Sequence, residues 1–68
     1  MQMFPVISSN IKSIGYENGT LYIKFLNDSF YAYYNVPESE YKGLMSADSH
    51  GHYLAVHIKG KYSYKRLS

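Results

Sequence analysis

The stretch IGYENGTLYI, residues 14–23, decides the fold of this chain. Asn18-Gly19 lies between two segments whose side chains alternate apolar and polar, and this is a strong short-range signal for a β-hairpin. A type I′ turn needs positive φ at both central residues, which Asn and Gly adopt readily. The stretch therefore predicts two antiparallel strands, with Tyr16 opposite Leu21 and Ile14 opposite Ile23.

A second turn is predicted at Asn27-Asp28, because both residues tolerate the left-handed region. Together the turns define strands at residues 11–17, 20–26 and 29–35. Two-residue loops then set the register and, with it, the two faces of the sheet. The predicted core face carries Ile14, Tyr16, Leu21, Ile23, Phe25, Phe30, Ala32 and Tyr34. The predicted opposite face carries Ser13, Gly15, Tyr22, Lys24, Tyr31 and Tyr33, with Ile11 and Leu26 at one end. A one-residue slip would exchange the faces, and the apolar pattern argues against it.

Two helices are predicted after the strands. Pro37 fits the first helical position, with acidic residues in the first turn that suit the helix dipole. Ser49 is a candidate N-cap for a second helix that continues to about Ile58, and Gly60 is a candidate left-handed C-cap. The predicted inward stripes are Tyr41, Leu44 and Met45 on the first helix, and Tyr53, Leu54, His57 and Ile58 on the second.

The predicted fold class is α+β: a three-stranded antiparallel β-meander followed by two short helices packed on one face. Residues 61–65 alternate with period two, which leaves a short C-terminal strand and an extended surface segment both open. A length of 68 residues predicts one domain over residues 1–68, with a small core.

The composition narrows the classes of protein and site. The chain has no cysteine, so disulfides and thiolate metal sites are excluded. It has nine Tyr and three Phe, so we expect its stability to come from aromatic packing or from a homodimer. No basic leader is visible, and no apolar run approaches the ~20 residues of a membrane span. We therefore expect a cytoplasmic protein without a membrane partner.

No constellation of catalytic residues is evident: the carboxylates fall in turns and at a helix start, and the serines fall mainly in turns and caps. His52 and His57 are five residues apart, whereas zinc ligands on a helix prefer three or four. His50 and His52 are therefore interpreted as surface residues and His57 as a half-buried residue near the sheet. The sequence predicts neither an enzyme nor a bound cofactor or metal.

The candidate functional site is the predicted face opposite the core. Tyrosine rings with a nearby lysine on an open sheet are typical of proteins that hold single-stranded nucleic acid by base stacking. The net charge of the whole chain is +2, and its last 20 residues contain four basic residues and no acidic one. Such a basic segment can contact nucleic acid, although it is more often a solvated terminus. The candidate nucleic-acid-binding residues are Tyr22, Lys24, Tyr31, Tyr33, Lys59, Lys61, Lys65 and Arg66.

Two alternatives to nucleic-acid binding are open at this point. Cross-strand tyrosine pairs stabilise a sheet by themselves, and a helix or a second subunit could cover the face. The aromatic face, or the edge strand at residues 11–16, could equally bind a protein partner or a second copy of the chain.

Several short motifs follow one another in an order that is similar to that of the KTSC domain family, which is named for the C-terminal segment of some lysyl-tRNA synthetases. The chain therefore resembles that family. The motifs are Ser9-Asn10-Ile11, Ile14-Gly15-Tyr16, Leu21-Tyr22-Ile23-Lys24-Phe25, Tyr31-Ala32-Tyr33, Val36-Pro37, Gly51-His52-Tyr53, His57-Ile58 and Tyr62-Ser63-Tyr64. The resemblance implies RNA binding, suggested by attachment to a tRNA enzyme, and implies no catalytic residues. The chain departs from the family at Leu54-Ala55 and Val56, where relatives commonly carry Phe-Asn and a basic residue.

Overall fold

The computed structural model describes residues 1–68 and contains five strands and two helical elements. The strands are β1 (Phe4–Pro5), β2 (Ile11–Glu17), β3 (Thr20–Phe25), β4 (Phe30–Tyr33) and β5 (Tyr64–Arg66). Helix α1 spans Glu38–Ser46, and α2 spans His50–Tyr53 and continues as a π-helical segment, Leu54–Ile58.

The strands form one antiparallel sheet in the order β1-β2-β3-β4-β5. The α+β class and the central meander are confirmed, but the prediction of three strands is wrong because a short strand is added at each edge. Strand β1 has two residues and β5 has three, and all five are exposed. Such short exposed strands give little of the apolar alternation that identifies a strand in a sequence. The tail forms a final strand rather than a free extended segment.

The first hairpin is confirmed in both turn and register. Asn18 and Gly19 have φ of 53° and 80°. Tyr16 lies opposite Leu21, and Ile14 lies opposite Ile23.

The second hairpin differs from the prediction by one residue. Its loop holds three residues, 26–28, because the Phe25 carbonyl accepts from the Asp28 N–H at 2.9 Å and the Phe25 N–H donates to the Ser29 carbonyl at 2.9 Å. Of the two predicted turn residues only Asp28 has positive φ, 70°. Asn27 acts through its side chain instead, with Oδ1 accepting from the Ser29 N–H at 3.0 Å.

This longer loop changes the faces of β4. Lys24 lies opposite Phe30 and Ile23 opposite Tyr31, so Tyr31 shares the core face with Ile23. Tyr33 joins it there, and the predicted placement of both tyrosines on the opposite face is wrong. The reason is geometric, since a one-residue change of register moves every side chain of a strand to the other face.

The residues that replace those tyrosines on the reverse face had been predicted in the core. Ala32 lies opposite Tyr22, and Phe30 lies opposite Lys24. Tyr34, which follows β4, is half-buried and stands outside the core cluster. The predicted core positions on β2 and β3 are confirmed, because their register depends on the first turn. The prediction for Ile11 is wrong: it lies in the core with no exposed area, because the register shifts between Ile11 and Ser13.

The core lies between the sheet and the two helices. Helix α1 contributes Leu44, and the π-helical segment contributes Leu54 and Ile58, all with no exposed area. The full cluster is Ile11, Ile14, Leu21, Ile23, Tyr33, Val36, Leu44, Leu54 and Ile58. Burial of these side chains is the main stabilising contribution, at roughly 1.5–3 kcal/mol for each large aliphatic side chain.

The helix boundaries agree with the predicted signals apart from two details. Ser49 is the N-cap of α2, its side chain accepting from the His52 N–H at 3.2 Å, and Gly60 has φ of 79°. Pro37 is the N-cap of α1 rather than its first residue, with extended ψ of 152°. His57 is exposed, contrary to the predicted stripe.

The π-helical segment explains the exposure of His57. The Lys59 N–H donates to the Leu54 carbonyl at 2.9 Å, a span of five residues. A π-turn holds more residues than an α-turn, so residues four apart lie almost one above the other. Leu54 and Ile58 therefore both face the sheet while His57 turns outward.

Substitutions at Asp28 test the three-residue loop. Asp28→Ala should lower the free energy of unfolding by about 1 kcal/mol more than Asp28→Gly, because alanine pays a steric cost at positive φ that glycine avoids. Both variants lose the exposed Lys12–Asp28 ion pair of 3.4 Å equally. Urea unfolding measures the difference, and an equal loss in the two variants would contradict the backbone explanation.

Candidate nucleic-acid interface

An open groove lies on the helix-bearing side of the sheet, beyond the end of α2. It encloses about 820 Å³. We call it the aromatic groove. Its lining residues are Ser9, Asn10, Phe25, Leu26, Asn27, Ser29, Tyr31, Tyr33, Lys59, Gly60 and Tyr64.

Four aromatic rings form the wall of the groove. The ring centroids of Tyr31 and Tyr64 are 6.0 Å apart, and those of Tyr33 and Tyr64 are 5.9 Å apart. Phe25 meets Tyr31 edge-on at 5.6 Å. Strand pairing builds this contact, since Tyr33 lies opposite Tyr64 on β5 and their side chains share a face.

The four rings differ in how far a ligand can reach them. Tyr33 is 3% exposed and belongs to the core, whereas Tyr64 is 62% exposed. Tyr31 and Phe25 are half-buried. Burial, followed by the neighbouring Tyr31 and Tyr64, raises the pKa of Tyr33 above its ordinary value. Tyr33 is therefore an uncharged, buried ring at the base of the groove. The rings of Tyr64 and Tyr31 are the ones that a ligand can contact.

Two cations stand over these rings. The Lys59 Nζ lies 5.5 Å from the centroid of Phe25, and the Arg66 guanidinium lies 5.9 Å from the centroid of Tyr31. Lys59 makes no ion pair, and the Arg66 Nε donates to the Ser68 backbone oxygen at 3.1 Å. No acidic residue lines the groove. The groove therefore combines flat apolar surfaces with the positive charge of Lys59, and Arg66 lies beside it over Tyr31.

The structure brings together four of the eight candidate residues: Tyr31, Tyr33, Lys59 and Arg66. Lys65 lies opposite Ala32 and so belongs to the reverse face. Lys61 pairs with Glu40 at 3.7 Å. The eight candidate residues therefore do not lie on a single surface of the domain.

The remaining two candidates, Tyr22 and Lys24, are also on the reverse face. The Tyr22 ring stacks on Phe30 at 5.9 Å, and the Lys24 Nζ lies 5.5 Å from the same ring. Both contacts are explained by packing within the sheet.

Sequence reasoning missed Phe25, Tyr64 and the polar residues of the groove. The period-two tail was the available signal for Tyr64, since a final strand paired with β4 places it beside Tyr33. Nothing local in the sequence signals Asn10 or Asn27, because the bulge of β2 and the loop at residues 26–28 bring them to the groove.

A carboxylate cluster holds the segment that leads into β5. Glu40 on α1 accepts from the Tyr53 hydroxyl at 2.6 Å through Oε1 and from the Tyr62 hydroxyl at 2.9 Å through Oε2. Lys61 adds an ion pair at 3.7 Å, and the Glu40 side chain is only 13% exposed. Gly43 permits the contact, since a Cβ there would overlap the Tyr53 phenol.

The cluster shifts the titration of its members. The Tyr53 hydrogen bond, opposed by burial and aided by Tyr62 and Lys61, lowers the pKa of Glu40. The hydrogen bond to Glu40 raises the pKa of Tyr53, and burial followed by that same carboxylate raises the pKa of Tyr62. Near neutral pH the carboxylate is ionised and both phenols keep their protons.

Glu40→Gln should lower the free energy of unfolding at neutral pH by about 1–3 kcal/mol, because an amide cannot accept from both phenols through two oxygens. Since the folded-state pKa of Glu40 is lowered, its contribution is present above the ordinary pKa of 4.5 and is lost as pH falls below it. Urea unfolding from pH 3 to 7 measures this, with Glu38→Gln, an exposed neighbour, as the control. Parallel pH profiles for wild type and Glu40→Gln would contradict the role of the cluster.

The histidines do not assemble into a ligand set. The His50 Nδ1 lies 2.8 Å from the Leu44 carbonyl, and the His57 ring packs on Tyr53 at 4.2 Å. No group of three or more His, Cys, Asp or Glu side chains is placed to hold a metal ion. Neither helix has the length and apolar character needed to cross a bilayer.

Comparison with known proteins identifies the family. The model of the KTSC domain matches residues 7–62 of the chain. The chain belongs to the KTSC domain family. The crystal structure of a KTSC domain protein from Yersinia pestis superposes with a TM-score of 0.94 at 40% sequence identity, covering 98% of this chain and 97% of that one. The predicted family resemblance is confirmed.

The KTSC domain also matches part of larger proteins. It is 39% identical over 70 residues to the lysine–tRNA ligase of Nostoc punctiforme and 39% identical to that of Trichormus variabilis. Each match covers 96% of this chain and 12% of the ligase. The chain therefore spans about an eighth of the length of these relatives.

Proposed function

We propose that this KTSC domain binds single-stranded RNA in the aromatic groove. The observation that carries the proposal is the meeting of accessible tyrosine rings with two cations, Lys59 in a groove without acidic residues and Arg66 beside that groove over Tyr31. Stacking surfaces for bases and positive charge for phosphates are the two requirements for holding a single strand.

The rings supply the stacking surface. Tyr64 is the most exposed of the four and stands at the mouth of the groove beside Tyr31. A base stacked on such a ring contributes about 1–3 kcal/mol. Bases within a duplex are already stacked on each other, so an unpaired strand is the form that can use these rings.

The cations supply the phosphate contacts. Lys59 follows the π-helical segment and Arg66 lies on β5, so the cations come from different elements of the fold. Lys61 is engaged by Glu40, and Lys65 faces the reverse side, so neither belongs to this site. The proposed site is therefore more compact than the eight residues that the sequence indicated.

The relatives support the same class of ligand. The relatives that contain the matching segment are named lysine–tRNA ligases, and this name includes an RNA. The proposal extends a connection with RNA to this chain and assigns no ligase activity to it.

Titration of a fluorescein-labelled 12-nucleotide RNA of mixed sequence, followed by anisotropy at about 25 mM salt, should give a Kd of roughly 100 μM or tighter. Two phosphate contacts predict a slope of log K against log salt of roughly −1.4. Arg66→Ala should weaken binding and bring the slope to about −0.7. No anisotropy change up to several hundred micromolar protein would exclude the proposal.

Lys65→Ala is the matched control for Arg66→Ala. The two residues are neighbours on β5, both exposed, and each substitution removes one positive charge, but their side chains lie on opposite faces. Lys65→Ala should leave the affinity within about twofold and the salt slope unchanged. Equal losses in the two variants would indicate general attraction to a basic surface instead of a site in the groove.

Tyr64 tests the stacking contribution separately from charge. Tyr64→Ala should weaken RNA binding roughly 5- to 100-fold, and Tyr64→Phe should bind like wild type, because stacking needs the ring and not the hydroxyl. The side chain is 62% exposed, so the fold should tolerate both changes. Anisotropy titration of the three proteins at one salt concentration measures the effect, and a loss of binding in Tyr64→Phe would contradict stacking.

A further inference from the structure

The polar end of the aromatic groove presents hydrogen-bond donors. Asn27 lies in the loop between β3 and β4, and its Oδ1 accepts from the Ser29 N–H at 3.0 Å and from the Ser29 hydroxyl at 2.6 Å. A backbone N–H can only donate, so this contact fixes which end of the amide is oxygen. The Nδ2 group of the exposed Asn27 side chain is left with two donors.

Asn10 repeats this arrangement on the adjacent segment. Its Oδ1 accepts from the Ser8 hydroxyl at 3.1 Å, which leaves its Nδ2 as a donor. The Leu26 N–H donates to the Asn10 carbonyl at 2.8 Å, so the segment that carries Asn10 is joined to the loop that carries Asn27. Gly51 of α2 approaches the Asn10 amide so closely that a Cβ there would lie 2.5 Å from Oδ1.

Lys59, which lines the groove, and Arg66, which lies beside the groove over Tyr31, add to the surplus of donors. Neither side chain can accept a hydrogen bond, and no carboxylate lines the groove to accept one. Among the lining side chains, the acceptors are the Asn10 and Asn27 amide oxygens, which already accept from serines, and the hydroxyl oxygens of serine and tyrosine. A ligand that donates through an amino group therefore finds few free side-chain acceptors, whereas a ligand rich in carbonyl oxygens finds several side-chain donors.

The four RNA bases differ in this respect. Adenine, cytosine and guanine each carry an exocyclic amino group, and uracil carries none. Uracil presents two carbonyl oxygens, O2 and O4, on either side of a single N–H. An amino group buried without an acceptor costs binding free energy, so a groove rich in donors disfavours the three bases that carry one.

We propose that the aromatic groove selects uracil, with the Asn10 and Asn27 amides donating to its carbonyl oxygens while the base stacks on the tyrosine rings. This inference rests on the proposed function, since it names the base held in the same groove. The phosphates contacted by Lys59 and Arg66 are common to all sequences and add no preference.

Labelled 12-nucleotide oligo(U) and oligo(C) provide the matched test. They have equal length and charge and bases of similar size, so the phosphate contribution cancels in the ratio of their dissociation constants. Oligo(U) should bind roughly 5- to 10-fold more tightly, the effect of one or two net hydrogen bonds. Equal binding of the two would overturn the uracil preference and leave the proposed function standing, whereas absence of binding by both would remove the two together.

Asn27→Asp assigns the preference to the amide. The substitution keeps an oxygen to accept from Ser29 and replaces the two donors with an acceptor, so the oligo(U)/oligo(C) ratio should fall towards one or invert. Asn10→Asp should act in the same direction, and it provides a second variant if the loop change disturbs folding.

Asn18→Asp is the control for the added negative charge. Asn18 lies in the turn between β2 and β3, with φ of 53° that aspartate also tolerates. The oligo(U)/oligo(C) ratio of Asn18→Asp should remain that of wild type. A ratio unchanged in both Asn27→Asp and Asn10→Asp would overturn the assignment of uracil selection to these amides.

Discussion

The loop at residues 26–28 is the constraint on which the rest of the molecule depends, because it sets the register of β4 against β3. Asp28 takes positive φ and the Asn27 side chain caps the Ser29 N–H, so the loop closes around three residues. That register turns Tyr31 and Tyr33 towards the helices. Tyr33 then completes the core, and Tyr31 becomes the wall of the groove. Among the tyrosines on this face, Tyr33 is buried in the core and Tyr64 is exposed, so a ligand can reach the row of rings from one end only.

The C-terminal segment completes both the sheet and the groove, and it is held by its pairing with β4 and by the Glu40 cluster. Glu40 lies on α1, yet it binds Tyr53 at the end of α2 and Tyr62 just before β5. Strand β5 then pairs with β4 and brings Tyr64 beside Tyr33 and Arg66 over Tyr31. A carboxylate that does not line the groove thereby helps to position Tyr64 and Arg66, in a chain with no disulfide to fasten the tail.

Local signals were reliable where one short segment controls the outcome. Asn18-Gly19 specifies its own turn, Ser49 caps its own helix, and the predicted register of the first hairpin is confirmed. The prediction of the second turn was wrong because Asn27 and Asp28 are each compatible with loops of two or three residues. Their backbone preferences do not distinguish the two loop lengths. The strand pattern beyond it did not resolve the choice, since alternating aromatic residues give an apolar face in either register. The exposure of His57 was equally hidden, because a π-helical turn depends on packing against the sheet.

The sequence by itself determined the α+β class, the first hairpin, the order of the helices and the family, since each depends on contacts between neighbours or on motif order. Tertiary structure alone decided which tyrosines face the helices, whether the tail becomes a strand, and where each basic residue of the tail lies. Lys61, Lys65 and Arg66 are alike in sequence, yet one pairs with Glu40, one faces the reverse side, and one stands over Tyr31. The physical reason is that register and ion pairing depend on partners many residues away, whose positions exist only once the sheet has formed.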